Sequence, residues 1–228
     1  MTDAIERMID RYGPAAVCET LAPMLSAERI ARIDQVLGAR LASVVTMVED
    51  TFDPHNAAAT VRTTEALGLQ ELHVVEPNER FSAVKGITRG AHRWIDVHRW
   101  ATAVQAVPAL QARGFRVLAT APGATASSED VDVTMPVAIL FGNEHAGVTA
   151  EAIAACDGAI AVPMFGFTES YNLSVTVGLA MSRIAARRRA YIGAMGDLSD
   201  PRRVRLRARW FALRIRAVVG IVDRKLAT

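Results

Sequence analysis

The segments Ser43-Val-Val-Thr-Met-Val48, Asp53-Pro54 with the run up to Gly68, and Leu72-His-Val-Val75 decide the fold. The first is β-branched and apolar without alternation, the pattern of a strand covered on both faces. Asp53 can cap a helix whose first turn holds Pro54, and that helix runs to about Gly68. Leu72–Val75 is the next strand. Three further short apolar runs follow: Phe115-Arg-Val-Leu-Ala119, Val137-Ala-Ile-Leu-Phe141 and Ala159-Ile-Ala-Val162. Helical intervals separate them, notably residues 100–113 and 149–155. Short apolar strands alternating with helices predict an α/β fold, a mostly parallel sheet with helices on both faces.

Outward from this region the chain reads as helical. In residues 1–42, Ser26 can cap a helix whose apolar stripe is Ile30, Ile33, Leu37 and Leu41. On the other side a helix over 171–188 carries Leu173, Val177, Met181 and Ile184 on one face. After a linker over 193–199, Asp200-Pro201 opens a helix with Leu206, Trp210, Leu213, Ala217 and Ile221 at helical spacing. Arg202, Arg205, Arg209 and Arg216 share another face of it. The organisation expected is an N-terminal helical extension over 1–42, an α/β domain over 43–190 and a basic helical extension over 191–228.

The net charge of +2 conceals an asymmetry. Residues 1–182 hold 13 Lys/Arg against 21 Asp/Glu, whereas residues 183–228 hold 13 against 3. Arginine concentrated at one end points to a polyanionic partner more than the total does. That helix would serve equally for oligomer packing or for an acidic membrane surface, and Trp210 and Phe211 suit a hydrophobic interface. With 51% hydrophobic and 22% charged residues the chain is ordinary for a globular enzyme, not a disordered one. A chain of 228 residues can bury roughly 70% of its unfolded surface. No apolar run approaches the ~18 residues that span a bilayer. Asp3, Glu6, Arg7 and Asp10 break any signal-peptide pattern, so the expected location is cytoplasmic. Cys18 and Cys156 are too far apart in sequence for a redox or zinc element and read as small buried hydrophobes. No His, Cys or carboxylate spacing suggests a metal site, and none is expected.

A parallel sheet invites a search for nucleotide motifs. The dinucleotide fingerprint is absent; Gly142 and Gly147 have phosphate-loop spacing, but Val148-Thr149 stands where Lys-Ser/Thr is needed. No G-x-S-x-G elbow occurs. Three other segments stand out. Asp53-Pro-His-Asn-Ala-Ala-Ala-Thr-Val-Arg-Thr63 places Asn56 and Arg62 six apart on a helix, which a capped amphipathic helix would also explain. Leu140-Phe-Gly-Asn-Glu-His-Ala-Gly147 follows a strand and carries a lone acid, Glu144, between two glycines that permit close ligand approach. Val162-Pro-Met-Phe-Gly-Phe-Thr-Glu-Ser-Tyr-Asn-Leu-Ser174 is a longer loop than a strand-to-helix connection needs. Ser170 or Asn172 could cap the next helix, but capping does not explain the loop's length.

Together these segments resemble the three motifs of the SpoU/TrmH family of RNA 2′-O-ribose methyltransferases in the SPOUT superfamily. They read N-x-x-A-x-x-R-T, L-x-G-x-E-x-x-G and P-M-x-G-x-x-x-S-x-N-x-S, in that order, and the likeness covers about 43–190. The resemblance implies an α/β fold whose C-terminal part is tied in a trefoil knot, an exception to unthreaded chains. It implies S-adenosyl-L-methionine as cofactor, held by Thr120, Leu140, Gly142, Val162, Met164 and Tyr171. It makes Asn56, Arg62, Glu144, Ser170 and Asn172 the catalytic or substrate-positioning residues. Tyr171 departs from the family's usual Leu, which changes a pocket wall. Family proposals make Arg62 the base; a guanidinium resists deprotonation, so a phosphate clamp that stabilises the developing alkoxide suits it better.

The short extensions resemble the tRNA-modifying TrmH group, which methylates a D-loop guanosine. So do Arg29-Ile-x-Arg-Ile-x-x-Val-Leu37 and the Glu49-Asp50 pair before Asp53-Pro-His-Asn56. The resemblance implies tRNA as partner, a homodimer, and RNA contacts from Arg202, Arg205, Arg209 and Arg216. An rRNA methyltransferase of the same fold and a non-catalytic RNA-binding protein are the alternatives.

Overall fold

The structure is a computed structural model that describes residues 2–51, 53–76, 88 and 90–227. Its chain forms two compact units, Met1–Arg40 with Met195–Thr228, and Leu41–Ala194.

The first unit begins with α1 (Thr2–Tyr12), α2 (Pro14–Leu21) and α3 (Ala27–Gly38). Ser26 caps α3, its side chain accepting the Arg29 N–H at 3.3 Å, as its position predicts. Ile33 and Leu37 of the expected stripe are buried.

The second unit runs β1 (Val44–Glu49), α4 (Pro54–Ala66), β2 (Glu71–Val75), β3 (Asp96–Trp100), α5 (Ala103–Gln111), β4 (Arg116–Thr120), β5 (Ala126–Ser127), β6 (Val137–Phe141), α6 (Ala150–Ala155), β7 (Gly158–Ala161) and α7 (Leu173–Ile192). Every strand pairing among the described residues is parallel, and the strand order is β3-β2-β1-β6-β4-β7-β5. All C-terminal strand ends therefore share one edge. Successive residues of β1 feed opposite cores, which is why the strand is apolar without alternation. Val44 and Val48 pack with Ala57 and Val61 of α4 and Val177, Met181 and Ile184 of α7. Val45 and Met47 pack with Ala106, Val107 and Leu110 of α5 and Ala152 of α6. Asp53 caps α4 by accepting the His55 N–H at 2.8 Å, and Asn172 caps α7 by accepting from Ser174.

Three expectations need correction. The helix expected from residue 100 starts at Ala103, because Trp100 ends β3, a strand the sequence reading did not contain. The helix expected from 171 starts at Leu173 and runs on to Ile192, where Gly193 stops it at φ 64°. The helix expected over 200–221 is two, α8 (Asp200–Ala212) and α9 (Val218–Leu226), broken where Ala217 takes φ 51°.

These two helices complete the first unit. Leu206, Trp210 and Phe211 of α8 are buried with Ile5, Ile9 and Leu21. Arg40 lies 5.2 Å from the Trp210 ring, a cation–π contact of the kind favoured by indole.

Candidate functional site

Three connections leave the sheet side by side, after β4, β6 and β7, at the C-terminal edge where open parallel sheets place ligands. Their ends are tied together. The Thr120 hydroxyl donates to the Leu140 carbonyl at 3.1 Å, and the Ala121 N–H donates to the Ile160 carbonyl at 3.0 Å.

The connection after β6 turns tightly. Asn143 and Gly147 exchange backbone hydrogen bonds, both 3.2 Å, and the Asn143 side chain accepts from the N–H groups of His145 and Ala146. A Cβ on Gly142 would sit 1.8 Å from the Gly147 carbonyl carbon. Only bare backbone fits there, the kind of surface that can meet a ligand edge through its own donors and acceptors.

The motif residues meet at this edge. Asn56, in the first turn of α4, is 7% exposed. Its Nδ2 donates to Glu144 Oε1 at 2.7 Å, and its Oδ1 accepts from Asn172 Nδ2 at 2.9 Å. Three segments separated by 88 and 116 positions thus converge on one amide. The second Glu144 oxygen, Oε2, is buried and has no hydrogen-bond partner among the described residues, so its acceptor capacity is unfilled there.

The other expected residues are not in this chain of bonds. Arg62 is exposed on α4 and makes no hydrogen bond or ion pair among the described residues. Ser170 is exposed in the loop after β7. Of the residues expected at the cofactor, Leu140 and Gly142 are buried, Thr120 and Val162 are half-buried, and Met164 and Tyr171 are exposed on the same loop as Ser170. Phe165 and Phe167 on that loop are exposed at 99% and 109%, and no pattern of periodicity singled them out.

The four arginines expected at RNA differ among themselves. Arg205 is held by Asp10 and Glu6 at 2.7 and 2.6 Å, and Arg209 reaches Glu6 at 3.5 Å. Arg202 is half-buried; Arg216 is exposed and unpaired among the described residues. A neighbour, Arg207, forks onto Asp34 at 2.6 and 2.9 Å. The face read as free positive charge is therefore partly neutralised by α1 and α3, which lie nearly 200 positions away and which no local pattern could reveal.

Away from the edge, Glu71, His73 and His98 are the group among the described residues whose ligand atoms lie within 4.8 Å of one another. Spacing in sequence did not reveal it, because the register of β2 on β3 sets His73 beside His98. The Trp100 indole N–H donates to His73 Nδ1 at 3.0 Å, so the ring proton sits on Nε2, which faces Glu71 Oε2 at 3.0 Å. Arg113 forks onto both Glu71 oxygens at 2.9 and 3.0 Å. Glu71 and His73 are thus already satisfied without an ion.

A parallel sheet with a hydrogen-bonded polar cluster at its C-terminal edge defines an α/β protein, and that edge is where open parallel sheets bind ligands. Residues 43–182 match the SpoU rRNA Methylase family. A tRNA (guanosine(18)-2′-O)-methyltransferase of Borreliella burgdorferi is 35% identical over 170 residues, covering 74% of this chain and 78% of that protein. One from Thermus thermophilus is 37% identical over 151 residues, covering 66% and 78%. Among solved structures, the A. aeolicus TrmH/SpoU tRNA modifying enzyme superposes with a TM-score of 0.73 at 28% identity, over 82% of this chain and 97% of that one. The chain belongs to the SpoU methylase family.

Proposed function

We propose that the chain is an S-adenosyl-L-methionine-dependent tRNA (guanosine(18)-2′-O)-methyltransferase, the activity in the names of the relatives it covers. The observation that carries the reading is the bonded set Glu144–Asn56–Asn172, which joins all three motif segments at one point.

The cofactor fits the edge. Thr120 and Leu140 are bonded to each other, Gly142 leaves bare backbone, and Val162, Met164 and Tyr171 lie on the adjoining loop. When bound, the cofactor supplies a methyl group already activated by sulfonium charge. The chain must then bring a ribose 2′-hydroxyl into line and ease loss of its proton. The unpartnered Glu144 Oε2 accepts a hydrogen bond from the incoming nucleotide. Asn56 and Asn172 fix the orientation of Glu144. Ser170 adds a hydroxyl to the same wall, and exposed Arg62 clamps a phosphate and stabilises the developing alkoxide.

In this reading 43–190 carry catalysis, while 1–42 and 191–228 hold tRNA, with exposed Arg216 better placed for phosphates than the engaged Arg205 and Arg209. The chain works in the cytoplasm as a homodimer; Phe165 and Phe167 suit an interface between two copies. Its C-terminal part forms a trefoil knot, a topology consistent with β6 lying between β1 and β4. No helix among the described residues is long and apolar enough to cross a membrane.

The test is to map the labelled nucleotide after incubating the protein with methyl-labelled cofactor and either tRNA or ribosomal RNA. A 2′-O-methylguanosine in the tRNA D-loop is expected. Label confined to ribosomal RNA would overturn the substrate, and no transfer with cofactor bound would indicate an RNA-binding protein.

A further inference from the structure

Glu49 is 3% exposed at the end of β1. Both its oxygens go to one residue 100 positions away: Oε2 accepts the Thr149 N–H at 2.9 Å and Oε1 accepts the Thr149 hydroxyl at 3.0 Å. Thr149 already caps α6, its hydroxyl accepting the Ala152 N–H at 3.2 Å. A buried carboxylate is a costly addition to a six-residue helix that has its cap. Its position gives it another use.

The connection from Gly142 to Thr149 is fixed at its start by β6 and in its middle by the bond between Asn56 and Glu144. Glu49 fixes its far end. The Asn143–Gly147 pinch keeps the segment between these points short and closed. The end of β1 is itself held: Asp50 takes φ 51° and its N–H donates to the Val75 carbonyl at 2.9 Å. A carboxylate whose two oxygens are both engaged by one residue leaves that residue little freedom.

We propose that Glu49 is a positioning residue of the cofactor site, holding the Gly142–Thr149 connection in register through Thr149. The inference rests on the cofactor reading above. It assigns Glu49 no contact with cofactor or RNA.

The experiment is calorimetric titration of S-adenosyl-L-methionine into the full-length protein, with methyl-transfer kinetics alongside. Glu49→Ala is expected to raise the cofactor Kd and KM at least tenfold, with a smaller change in kcat and none in tRNA affinity measured without cofactor. Glu49→Gln keeps an acceptor for the Thr149 N–H and is expected to stay within about threefold of wild type. Cofactor affinity of Glu49→Ala within twofold of wild type would overturn the proposal. So would equal losses of cofactor affinity, kcat and tRNA affinity with no rescue by Gln, which mark a general structural role. Should Glu49→Ala not fold, Thr149→Val reads the same link: a several-fold weaker cofactor affinity supports it, and wild-type affinity overturns it. Wild-type protein that binds no cofactor would instead undo the functional reading.

Discussion

Asn56 and Glu144, 88 positions apart, are joined by a 2.7 Å hydrogen bond in which amide donates to carboxylate. The direction is fixed from the far end. Asn172 Oδ1 is occupied by the Ser174 N–H and hydroxyl, so its Nδ2 faces Asn56 Oδ1, and Asn56 Nδ2 must face Glu144. Replacing Asn56 by Asp therefore sets two carboxylates against each other, and the pair holds a proton more tightly than either acid alone. Folded protein then binds more protons than unfolded in the neutral range, so stability rises as pH falls. The melting temperature of Asn56→Asp should approach that of wild type between pH 8 and pH 5, whereas that of Asn56→Ala should keep a constant deficit. Parallel curves for both would refute the arrangement.

Arg62 lies on the same helix as Asn56 yet stays exposed and unpaired among the described residues. No polar contact among the described residues depends on it. Arg62→Ala should keep the wild-type melting temperature and cofactor affinity while losing turnover by about 10²-fold or more, as for loss of a group that stabilises developing charge. Near-normal turnover would remove it from the site.

The sequence reading was most accurate where apolar residues run in buried blocks. Val44–Val48 and Val137–Phe141 are central strands, and Ser26, Asp53 and Asn172 cap as their positions suggest. It missed β3 because Asp96, His98 and Arg99 break the apolar signal: Asp96 and His98 lie beside Glu71 and His73 of β2, and Arg99 pairs with Glu76 just beyond that strand. It ran α8 into α9 because the apolar spacing continues through Leu213 and Ala217 with no Gly or Pro to mark a stop. In the fold Ala217 is exposed and Val218 and Val222 take the buried positions. The convergence of Asn56, Glu144 and Asn172 was legible through the family resemblance. The link from Glu49 to Thr149 was not, since the family wording that includes Glu49 says nothing of a residue 100 positions away.

Of the basic residues near the C-terminus, Arg216, Arg224 and Lys225 are exposed and unpaired among the described residues, whereas Arg205 and Arg207 are held by acids of α1 and α3. Each phosphate contact adds about 0.7–0.9 to the slope of log affinity against log salt. Arg216→Ala should weaken tRNA binding and lower that slope by up to about one. Arg205→Ala should leave the slope unchanged and lower the melting temperature slightly, because a half-exposed ion pair contributes about 0–1 kcal/mol. The reverse pattern in filter-binding and melting data would restore Arg205 as an RNA contact.

Burial pushes the Cys156 thiol up to about 12, with Asp157 and Glu49 adding to the shift, and burial also raises Cys18. A raised thiol stays protonated through neutral pH and is a poor nucleophile. Native protein treated with iodoacetamide at pH 8 should show neither cysteine alkylated by mass spectrometry within the time that labels unfolded protein fully. Rapid labelling of Cys156 would contradict its surroundings.

The Glu71–His73–His98 group tests how far ligand geometry alone can be trusted. A metal at His73 Nε2 would have to displace the proton that faces Glu71 while the Trp100 indole still occupies Nδ1, leaving an imidazolate. It would also face the Arg113 guanidinium, which already forks onto Glu71. Zinc should therefore leave the melting temperature unchanged at micromolar concentration. Protons act differently. Burial and His73 hold His98 below its usual value, so unfolded chains bind its proton first and stability falls as pH drops below about 6.5 toward the folded value. Replacing His98 by Gln should remove part of that acid loss, read as a flatter melting temperature between pH 7 and pH 5. A zinc-dependent rise in melting temperature that His98→Gln abolishes would show instead that the three residues do bind an ion.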